Sequence, residues 1–480
     1  MKYYSSRKKS IRVSPAEAIV AGLAPDGGLF LPQRHSSVMT AQLDKIDDET
    51  LAVRILQALF PDFTEKELLH YVQAAYRTSF DKGDIAPLTR TGQTFTAELW
   101  HGPTAAFKDV ALSLLPYLLT AAAKKCGITD EIRILTAPSG ATGSAALSGF
   151  GGVPGTTIAV FYPAGGVSPM QEHQMVSAPG TNTAVCAVRG NFDDAQTGVK
   201  KILASTVPPA GVRFSSANSI NIGRLAPQII YYFKSYRELL RTGAVELGAP
   251  VDFAVPTGNF GDIFAGFLAK KMGLPVGRLI CASNQNHILT DFLTAGVYDR
   301  RREFLLSCSP SMDILVSSNL ERLLSLTAGT RRTASWMQQL SREGRFDVGP
   351  DVLAALREHF DAGWCSEEET LAEIRRSWQE DGYLIDPHTA VASAVGRRLR
   401  REGIPLVVLS TASPFKFSGA VLRALGAPAE ADDRLNLKRL ADFTGVTPPA
   451  ALLRALARPV RHKNLCSPDG MEAFVLGMGK

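Results

Sequence analysis

The chain has 480 residues, of which 45% are hydrophobic and 20% are charged, and its formal net charge is +6. This length allows two or three domains with a large core, and this composition excludes an intrinsically disordered chain. The basic residues are scattered and lack the aromatic-interleaved stripe of nucleic-acid binding proteins, so we interpret their surplus as help in attracting an anionic small molecule.

The first part of the chain is predicted to be mainly helical. Between residues 45 and 80 the apolar residues recur at helical spacing, as in Leu51, Ile55, Leu56 and Leu59. We therefore expect residues 1–95 to form a helical N-terminal domain.

Short apolar runs then alternate with helical stretches, which is typical of parallel sheets covered by helices. We expect a smaller α/β lobe over residues 96–245 and a larger one over residues 246–480. A change to charged, amphipathic sequence predicts a helical insertion at about 320–402 in the larger lobe. The predicted strands are 132–136, 157–161, 183–188, 251–255, 278–282 and 405–409. A site in the crevice at the carboxyl ends of these strands is expected.

A lysine stands at the start of a predicted helix, shortly after the turn formed by Gly102 and Pro103. The helix dipole and the apolar neighbour Phe107 both favour a neutral amine at Lys108. Schiff-base chemistry requires a neutral amine, so Lys108 is a candidate catalytic residue, although an isolated lysine is more often a surface residue. His101 is either a proton-transfer group or an ordinary turn residue.

A glycine-rich turn containing Gly258, Asn259, Phe260 and Gly261 joins the predicted strand 251–255 to the next helix. Glycines let the backbone approach a ligand closely, and the helix start offers unpaired N–H groups to an anion. The turn lacks the Gly-Lys-Ser/Thr ending of a P-loop and the full dinucleotide fingerprint. It therefore predicts a cradle for the phosphate of a small cofactor, and a purely structural turn is the alternative.

A second polar turn, with Ser139, Gly140 and Thr142, follows the predicted strand that ends near Thr136. Its hydroxyl and amide groups are suited to holding a carboxylate. The alternative is an ordinary helix start with a serine or threonine cap.

Together these residues resemble threonine synthase, a fold-type II pyridoxal-5'-phosphate (PLP) enzyme, and the likeness covers nearly the whole chain. The segments that carry it are 22–30, 101–104, 107–109, 161–163, 166–169, 190–194, 218–224, 256–262, 309–313, 386–390 and 410–414, with Lys416. The long N-terminal segment and the insertion resemble the longer microbial and fungal type. The resemblance implies an α/β fold of two parallel-sheet lobes with a helical N-terminal segment and a helical insertion, and it implies PLP as the cofactor.

Threonine synthase converts O-phosphohomoserine and water to threonine and phosphate by γ-elimination and β-addition, so the resemblance implies this activity. It implies that Lys108 binds the cofactor as a Schiff base and moves protons, and that the backbone N–H groups of 258–261 bind the cofactor phosphate. Ser410 or Thr411 would face the pyridine nitrogen, and a hydroxyl there leaves that nitrogen unprotonated. The implied substrate contacts are Ser139, Gly140 and Thr142 for the carboxylate, and Asn218, Ser219, Asn221 and Arg224 for the phosphate.

The second polar turn departs from the family pattern, which usually reads Thr-Ser-Gly-Asp-Thr-Gly, because Pro138 and Ala141 replace the first threonine and the aspartate. Losing a buried polar partner near the cofactor can change a rate by about one order of magnitude or more. The alternative function is therefore a divergent PLP phospho-lyase or γ/β-replacement enzyme of secondary metabolism. A ligand-binding relative without catalysis is a third hypothesis, which the intact Lys108 and the phosphate cradle argue against.

The six cysteines are far apart and show no metal-ligand spacing, so the sequence predicts reduced thiols and no metal site. No apolar run reaches the roughly 18 residues of a membrane helix, and the N-terminus has no apolar signal segment. We therefore expect a cytoplasmic enzyme, as a monomer or a homodimer. Its expected partner is a small phosphorylated amino acid, with no nucleic-acid or membrane partner.

Overall fold

The computed structural model describes residues 1–138 and 140–478. Its architecture is α/β, with two lobes that are each built on a mostly parallel sheet, and the expected fold class is confirmed. Within the described residues, no helix is both long and apolar enough to cross a membrane.

The N-terminal segment combines a small antiparallel sheet with amphipathic helices. The predicted helical region 45–80 forms two helices, because Pro61 cannot continue the first one and Thr64 caps the second through a capping box with Glu67. The elements of this segment are β1 (Tyr3–Ser5), β2 (Arg12–Val13), α1 (Pro15–Ala21), β3 (Phe30–Pro32), α2 (Asp48–Leu59) and α3 (Glu65–Tyr76).

The next part of the chain alternates strands and helices, as predicted. Its elements are β4 (Leu88–Thr91), β5 (Thr94–Glu98), α4 (Lys108–Lys125), β6 (Glu131–Thr136), α5 (Gly140–Phe150), β7 (Thr156–Pro163), α6 (Pro169–Val176), β8 (Thr183–Val188), α7 (Phe192–Ser205), β9 (Val212–Ser215), α8 (Ile222–Leu225) and α9 (Ile229–Arg241).

The remaining part contains the predicted strands of the second lobe and a largely helical stretch between them. Its elements are β10 (Val251–Pro256), α10 (Gly261–Lys271), β11 (Val276–Ser283), α11 (Ile288–Ala295), β12 (Val297–Asp299), α12 (Leu320–Ala328), α13 (Thr330–Glu343), β13 (Arg345–Asp347), α14 (Gly349–Arg357), β14 (Phe360–Trp364), α15 (Glu367–Asp381), α16 (Pro387–Leu399), β15 (Leu406–Ser410), α17 (Ser418–Ala424), α18 (Asp433–Thr444), α19 (Ala450–Ala457), β16 (Asn464–Cys466) and α20 (Met471–Gly477).

Two sheets form the cores of the lobes. The larger has the strand order β14-β11-β10-β15-β5-β4 and is parallel except for β4, which runs antiparallel to β5. The smaller has the order β16-β8-β7-β6-β9 and is parallel throughout. Strands β10 and β15 are buried along their whole length, which explains why they are largely apolar in the sequence.

The strand pairing differs from the predicted division of the chain in three places. Strands β4 and β5 join the larger sheet, although residues 1–95 were assigned to the N-terminal domain and 96–245 to the smaller lobe. Strand β16 joins the smaller sheet, although it lies within 246–480, and the predicted insertion contains β14, an edge strand of the larger sheet. These short strands pair with partners far away in sequence, such as Ser410 with Glu98, and local patterns do not reveal such pairs.

A close approach between α4 and α5 connects the helix that starts at Lys108 to the smaller lobe. A Cβ atom added to Gly149 would overlap the carbonyl oxygen of Leu112. We expect Gly149→Ala to lower the free energy of unfolding by about 1–3 kcal/mol, because the helices must move apart. Urea denaturation measures the change.

Gly477 offers a matched control, because a Cβ atom there meets nothing within 4 Å. Gly477→Ala should leave the free energy of unfolding nearly unchanged. If Gly149→Ala proved as stable as this control, the close packing of α4 on α5 would be contradicted.

Candidate active site

The candidate site lies at the carboxyl edge of the larger sheet, where β5, β15 and β10 are neighbours. Strand β10 leads into the glycine-rich turn, β15 ends at Ser410, and β5 leads through an irregular segment to Lys108. Ligand sites of parallel sheets lie beyond the carboxyl ends of their strands. The fold therefore brings the predicted phosphate cradle, the hydroxyl pair and the lysine to one edge.

The segment before Lys108 is held in an unusual conformation. Ala105 has a φ of 57°, which a residue with a side chain adopts at a cost of about 1–2 kcal/mol. The segment is fixed by Thr104, whose N–H and hydroxyl donate to Asp109 at 2.8 Å and 2.6 Å. Helix α4 consequently starts at Lys108, which directs the lysine toward the crevice edge of the sheet.

The environment of Lys108 favours its neutral form. Its pKa is lowered to about 7, chiefly by burial and further by the positive charges of Arg224 and Lys416. Its Nζ atom lies 4.9 Å from the ring centre of Phe107 and 3.5 Å from the Oγ atom of Ser311. A large fraction of the amine is therefore neutral near pH 7, as a nucleophilic lysine requires.

The turn after β10 presents backbone N–H groups that the chain leaves unused. In the described part of the chain, the N–H groups of Gly258, Asn259 and Phe260 donate no hydrogen bond. The carbonyls of Gly258 and Asn259 accept hydrogen bonds from the Ser317 hydroxyl at 2.7 Å and the Asn319 amide at 3.0 Å. Because a planar peptide points its carbonyl and its N–H in opposite directions, these bonds turn the next two N–H groups the other way. The result is an anion site at the start of α10.

The side-chain hydroxyl groups of Ser410 and Thr411, at the end of β15, differ in their hydrogen bonds. Trp100 Nε1 donates to Ser410 Oγ at 3.1 Å, and Ser410 Oγ lies 3.1 Å from Thr389 Oγ1. Thr389 Oγ1 donates toward both Ser410 Oγ and the carboxylate of Asp386, so Ser410 Oγ is an acceptor on two sides. The side chain of Thr411 makes no hydrogen bond to the described residues, which leaves its hydroxyl available to a ligand.

Arg224 is a buried cation without an acidic partner among the described residues. Its Nη1 atom donates to the carbonyl of Ala217 at 2.6 Å, and burial lowers the pKa of Arg224 to about 10. Its positive charge also lowers the pKa of Lys108, so the two groups lie near each other. A buried, unpaired charge is costly unless an anion binds beside it, so this guanidinium is suited to an anionic substrate.

The other predicted phosphate contacts lie just before α8. Asn221 uses both polar side-chain atoms within the fold: Nδ2 donates to the carbonyl of Ile19 at 2.9 Å, and Oδ1 accepts from the N–H of Gly223 at 2.8 Å. Asn221 therefore caps α8, on which Arg224 stands. Asn218 and Ser219 lie in the preceding turn, and their side chains form no hydrogen bond to the described residues.

The predicted carboxylate contacts surround the start of α5. Gly140 is the first residue of this helix and Thr142 lies in its first turn, whereas Ser139 lies outside the described residues. Ala141 is buried, so no side-chain acceptor replaces the missing aspartate there. The predicted roles of Ser139, Gly140 and Thr142 stay predictions.

His101 is placed between two carboxylates. Its Nε2 atom lies 2.7 Å from Glu98, its Nδ1 atom lies 3.5 Å from Asp81, and its ring stacks on Trp100. Burial acts to lower the pKa of His101, but the bonds to Glu98 and Asp81 outweigh it and raise the pKa above its ordinary value. Both ring nitrogens are thus engaged, and a role for His101 in proton transfer stays a prediction.

The sequence argument assigned no role to several residues that surround the lysine. Ser311 contacts Lys108, and Lys416 donates to the carbonyl of Thr104 at 2.8 Å. Asp262 is buried and its Oδ2 atom has no partner among the described residues. Segments 256–262, 309–313 and 410–414, with Lys416, carried part of the resemblance, and that was the signal in the sequence that pointed to this region.

Family models match the chain along most of its length. Residues 2–76 match "Threonine synthase N terminus", residues 92–409 match "Pyridoxal-phosphate dependent enzyme", and residues 389–445 match "Threonine synthase, C-terminal". The fold and the site thus define a pyridoxal-phosphate dependent enzyme, which agrees with the expected cofactor.

Individual relatives identify the family to which the chain belongs within this class of enzymes. The threonine synthase of Eremothecium gossypii is 38% identical over 92% of this chain and 93% of its own length. The crystal structure of PLP-bound threonine synthase from Brucella melitensis has a TM-score of 0.89 and 36% identity, and the match covers 99% of both chains. The chain belongs to the threonine synthase family.

A further relative is longer than this chain. Threonine synthase-like 1 of Pongo abelii is 38% identical over 85% of this chain, and the match spans 58% of that protein's length.

The residues at the site fit pyridoxal phosphate. The unused N–H groups of the 258–260 turn suit its phosphate, and the neutral amine of Lys108 suits its aldehyde. The free hydroxyl of Thr411 suits a ring nitrogen that is not protonated.

The cradle has no room for a side chain at Gly258, where a Cβ atom would lie 2.6 Å from the carbonyl oxygen of Ser311. We expect Gly258→Ala to weaken cofactor binding by about tenfold or more, because the turn must shift and its N–H groups lose their alignment. Titration of the cofactor-depleted protein with PLP, followed by absorbance, measures the affinity.

Asn259→Ala is the informative comparison, because the Asn259 side chain is exposed and its backbone N–H remains in the variant. Its affinity for PLP should change little. A large loss in Asn259→Ala together with a small loss in Gly258→Ala would contradict binding through the backbone.

Proposed function

We propose that the protein converts O-phosphohomoserine and water to threonine and phosphate. The observation that carries this proposal is Arg224, a buried guanidinium with no acidic partner among the described residues, near the neutral amine of Lys108. The site thus offers one anion position at the start of α10 for a cofactor phosphate and a second at Arg224 for a substrate phosphate. The names of the relatives support the same reaction.

The chain's own groups divide the work of this reaction. Bound pyridoxal phosphate supplies the electron sink that stabilises carbanions at the substrate's α- and β-carbons. Lys108 binds the aldehyde and, once its amine is free, takes a proton from the α-carbon and later returns it. A pKa of about 7 suits both directions of this transfer near neutral pH.

The substrate phosphate is the leaving group, and its charge must be stabilised as the bond breaks. Arg224 is positioned for that task by the cap that Asn221 provides for α8, while Asn218 and Ser219 supply further polar groups. Such pre-oriented donors act strongly because the site is shielded from water. The substrate carboxylate is proposed to bind at the start of α5, at Ser139, Gly140 and Thr142.

Of the two predicted hydroxyls, we assign Thr411 to the ring nitrogen of the cofactor. This choice is supported by the hydrogen bonds that the Ser410 oxygen accepts from Trp100 and Thr389, whereas the Thr411 side chain forms none to the described residues. Ser410 then acts by fixing Trp100 and the end of β15.

We also propose that the enzyme works in the cytoplasm, as a monomer or homodimer with a small-molecule substrate. All six cysteines are free thiols, which is typical of a reducing compartment. Cys186 and Cys466 remain unlinked although their Sγ atoms lie 3.4 Å apart.

We also propose that the chain divides into the three predicted units, with two changes. Strands β4 and β5 belong to the larger lobe and β16 belongs to the smaller lobe, because they pair with the sheets of those lobes.

The activity is tested by incubating the PLP-loaded protein with O-phosphohomoserine while phosphate and the amino-acid product are measured. Threonine in step with phosphate is expected. In Lys108→Ala both products and the visible absorbance of the covalently held cofactor should be lost, because the amine that binds the aldehyde is absent.

Lys124→Ala is the matched control, since Lys124 is an exposed lysine near the other end of α4. It should retain full activity. Phosphate release with 2-oxobutyrate instead of threonine would favour the divergent phospho-lyase, and turnover in Lys108→Ala would exclude Lys108 as the reactive amine.

The role of Arg224 makes a separate prediction. Arg224→Met should lower kcat/KM for O-phosphohomoserine by about 10- to 100-fold, because charge-assisted hydrogen bonds to the phosphate are lost. Inhibition by inorganic phosphate should weaken in parallel. Steady-state kinetics with the substrate and with phosphate as inhibitor measure both effects.

Arg213→Met removes a partly exposed arginine on β9 and should leave both quantities unchanged. Equal kcat/KM values for Arg224→Met and this control would contradict the assignment of Arg224 to the substrate phosphate.

A further inference from the structure

A serine hydroxyl lies beside the reactive amine at the edge of the phosphate cradle. The Oγ atom of Ser311 is 3.5 Å from the Nζ atom of Lys108. The carbonyl of the same serine packs against Gly258, where a Cβ atom would lie only 2.6 Å away. Ser311 therefore connects the lysine and the cradle, although neither the sequence argument nor the proposed mechanism uses it.

A buried histidine fixes the backbone of Ser311. The N–H of Ser311 donates to the Nε2 atom of His388 at 3.2 Å. Because a peptide N–H can only donate, Nε2 must be the unprotonated nitrogen of the ring. The Nδ1 atom then carries the proton and donates to Asp386 at 2.6 Å. His388 is 3% exposed, so water does not compete for these bonds.

The carboxylate that orients this histidine is itself immobilised. Asp386 caps α16, where it accepts from the backbone N–H groups of His388 at 2.9 Å and Thr389 at 3.1 Å. The start of the turn that carries Ser311 is held by Asn284, whose Nδ2 atom donates to the Ser309 hydroxyl at 2.9 Å. This turn is thus fixed at Ser309 and at Ser311.

We propose that Ser311 is a further residue of the reaction site, which accepts a hydrogen bond from the amine of Lys108 whenever that amine is free, and that His388 positions Ser311 for this contact. The inference rests on the proposed function, because the amine is freed only when a substrate takes its place on the cofactor. A free lysine side chain rotates about four bonds, and a fixed acceptor keeps its amine within reach of the α-carbon. The geometry assigns that acceptor to Ser311.

The test uses L-threonine, which frees the amine of Lys108 in the PLP-loaded protein and changes the visible absorbance of the cofactor. In Ser311→Ala the threonine concentration that gives half of this change should rise by up to about tenfold, because the freed amine loses one hydrogen bond. Since every state with a free amine loses the same bond, KM for O-phosphohomoserine should rise by a similar factor and kcat should change less. Ser311→Thr keeps a hydroxyl and should restore most of the response.

Variants of His388 separate positioning from general stability. His388→Leu removes the acceptor for the Ser311 N–H and should resemble Ser311→Ala, whereas His388→Gln keeps an acceptor and should lie closer to the parent protein. Ser318→Ala removes a hydroxyl from the same loop that bonds to none of the described residues, and it should behave as the parent does.

Two results would overturn the inference alone: a threonine response of Ser311→Ala equal to that of Ser318→Ala, or a loss in Ser311→Ala that Ser311→Thr does not restore. A parent protein that binds PLP but shows neither a response to threonine nor phosphate release would overturn the proposed function, and this inference with it. The response of the parent protein to threonine therefore distinguishes a failure of this inference from a failure of the proposed function.

Discussion

The burial of positive charge around Lys108 is the constraint on which the site depends. Burial lowers the pKa of Lys108 to about 7, of Lys416 to about 8 and of Arg224 to about 10. The carboxylates of Asp109 and Asp262 act to raise the pKa of Lys108, but burial and the two cations outweigh them. A large fraction of the Lys108 amine is therefore neutral near pH 7, while the surrounding positive charges still favour anions. Nucleophilicity and affinity for phosphate groups thus have the same physical cause.

Burying several positive charges close together costs free energy, and the rest of the fold holds these residues in place. Three neighbouring parallel strands end at one edge, so the lysine segment, the phosphate cradle and the Thr411 hydroxyl come from the rigid centre of a sheet. The left-handed residues Ala105 and Phe260 lie next to Lys108 and at the start of α10. Residues in that conformation persist only where surrounding contacts fix them, and here hydrogen bonds from Thr104 and Asn319 supply those contacts.

The parts of this structure that sequence could predict are those encoded locally. The glycine-rich turn was predictable because two glycines, an apolar strand and a helix start are contiguous, and the helix start at Lys108 was predictable because it follows a Gly-Pro turn. The pairing of β5 with β15 and the contact of Ser311 with His388 join distant residues, so no local pattern contains them. Asn221 illustrates a second limit of prediction from sequence, because an asparagine serves equally as a helix cap and as a ligand contact. Only the structure shows that the side-chain amide of Asn221 already forms hydrogen bonds within the fold.

The two anion positions differ in the charge that they carry when no ligand is bound. This difference affects how long each position keeps its ligand. The cradle offers uncharged N–H groups that water can also satisfy, so an empty cradle costs little and a phosphate held there by many amides can stay through repeated cycles. Arg224 carries a full charge that no acidic side chain among the described residues balances, so in the proposed reaction its cost is relieved when the substrate phosphate binds. In the proposed reaction, the phosphate that is freed when the carbon–oxygen bond breaks is held by Arg224, Asn218 and Ser219 and no longer by a covalent bond to the substrate. On this proposal the cradle retains its ligand, whereas the Arg224 site exchanges its ligand in every cycle.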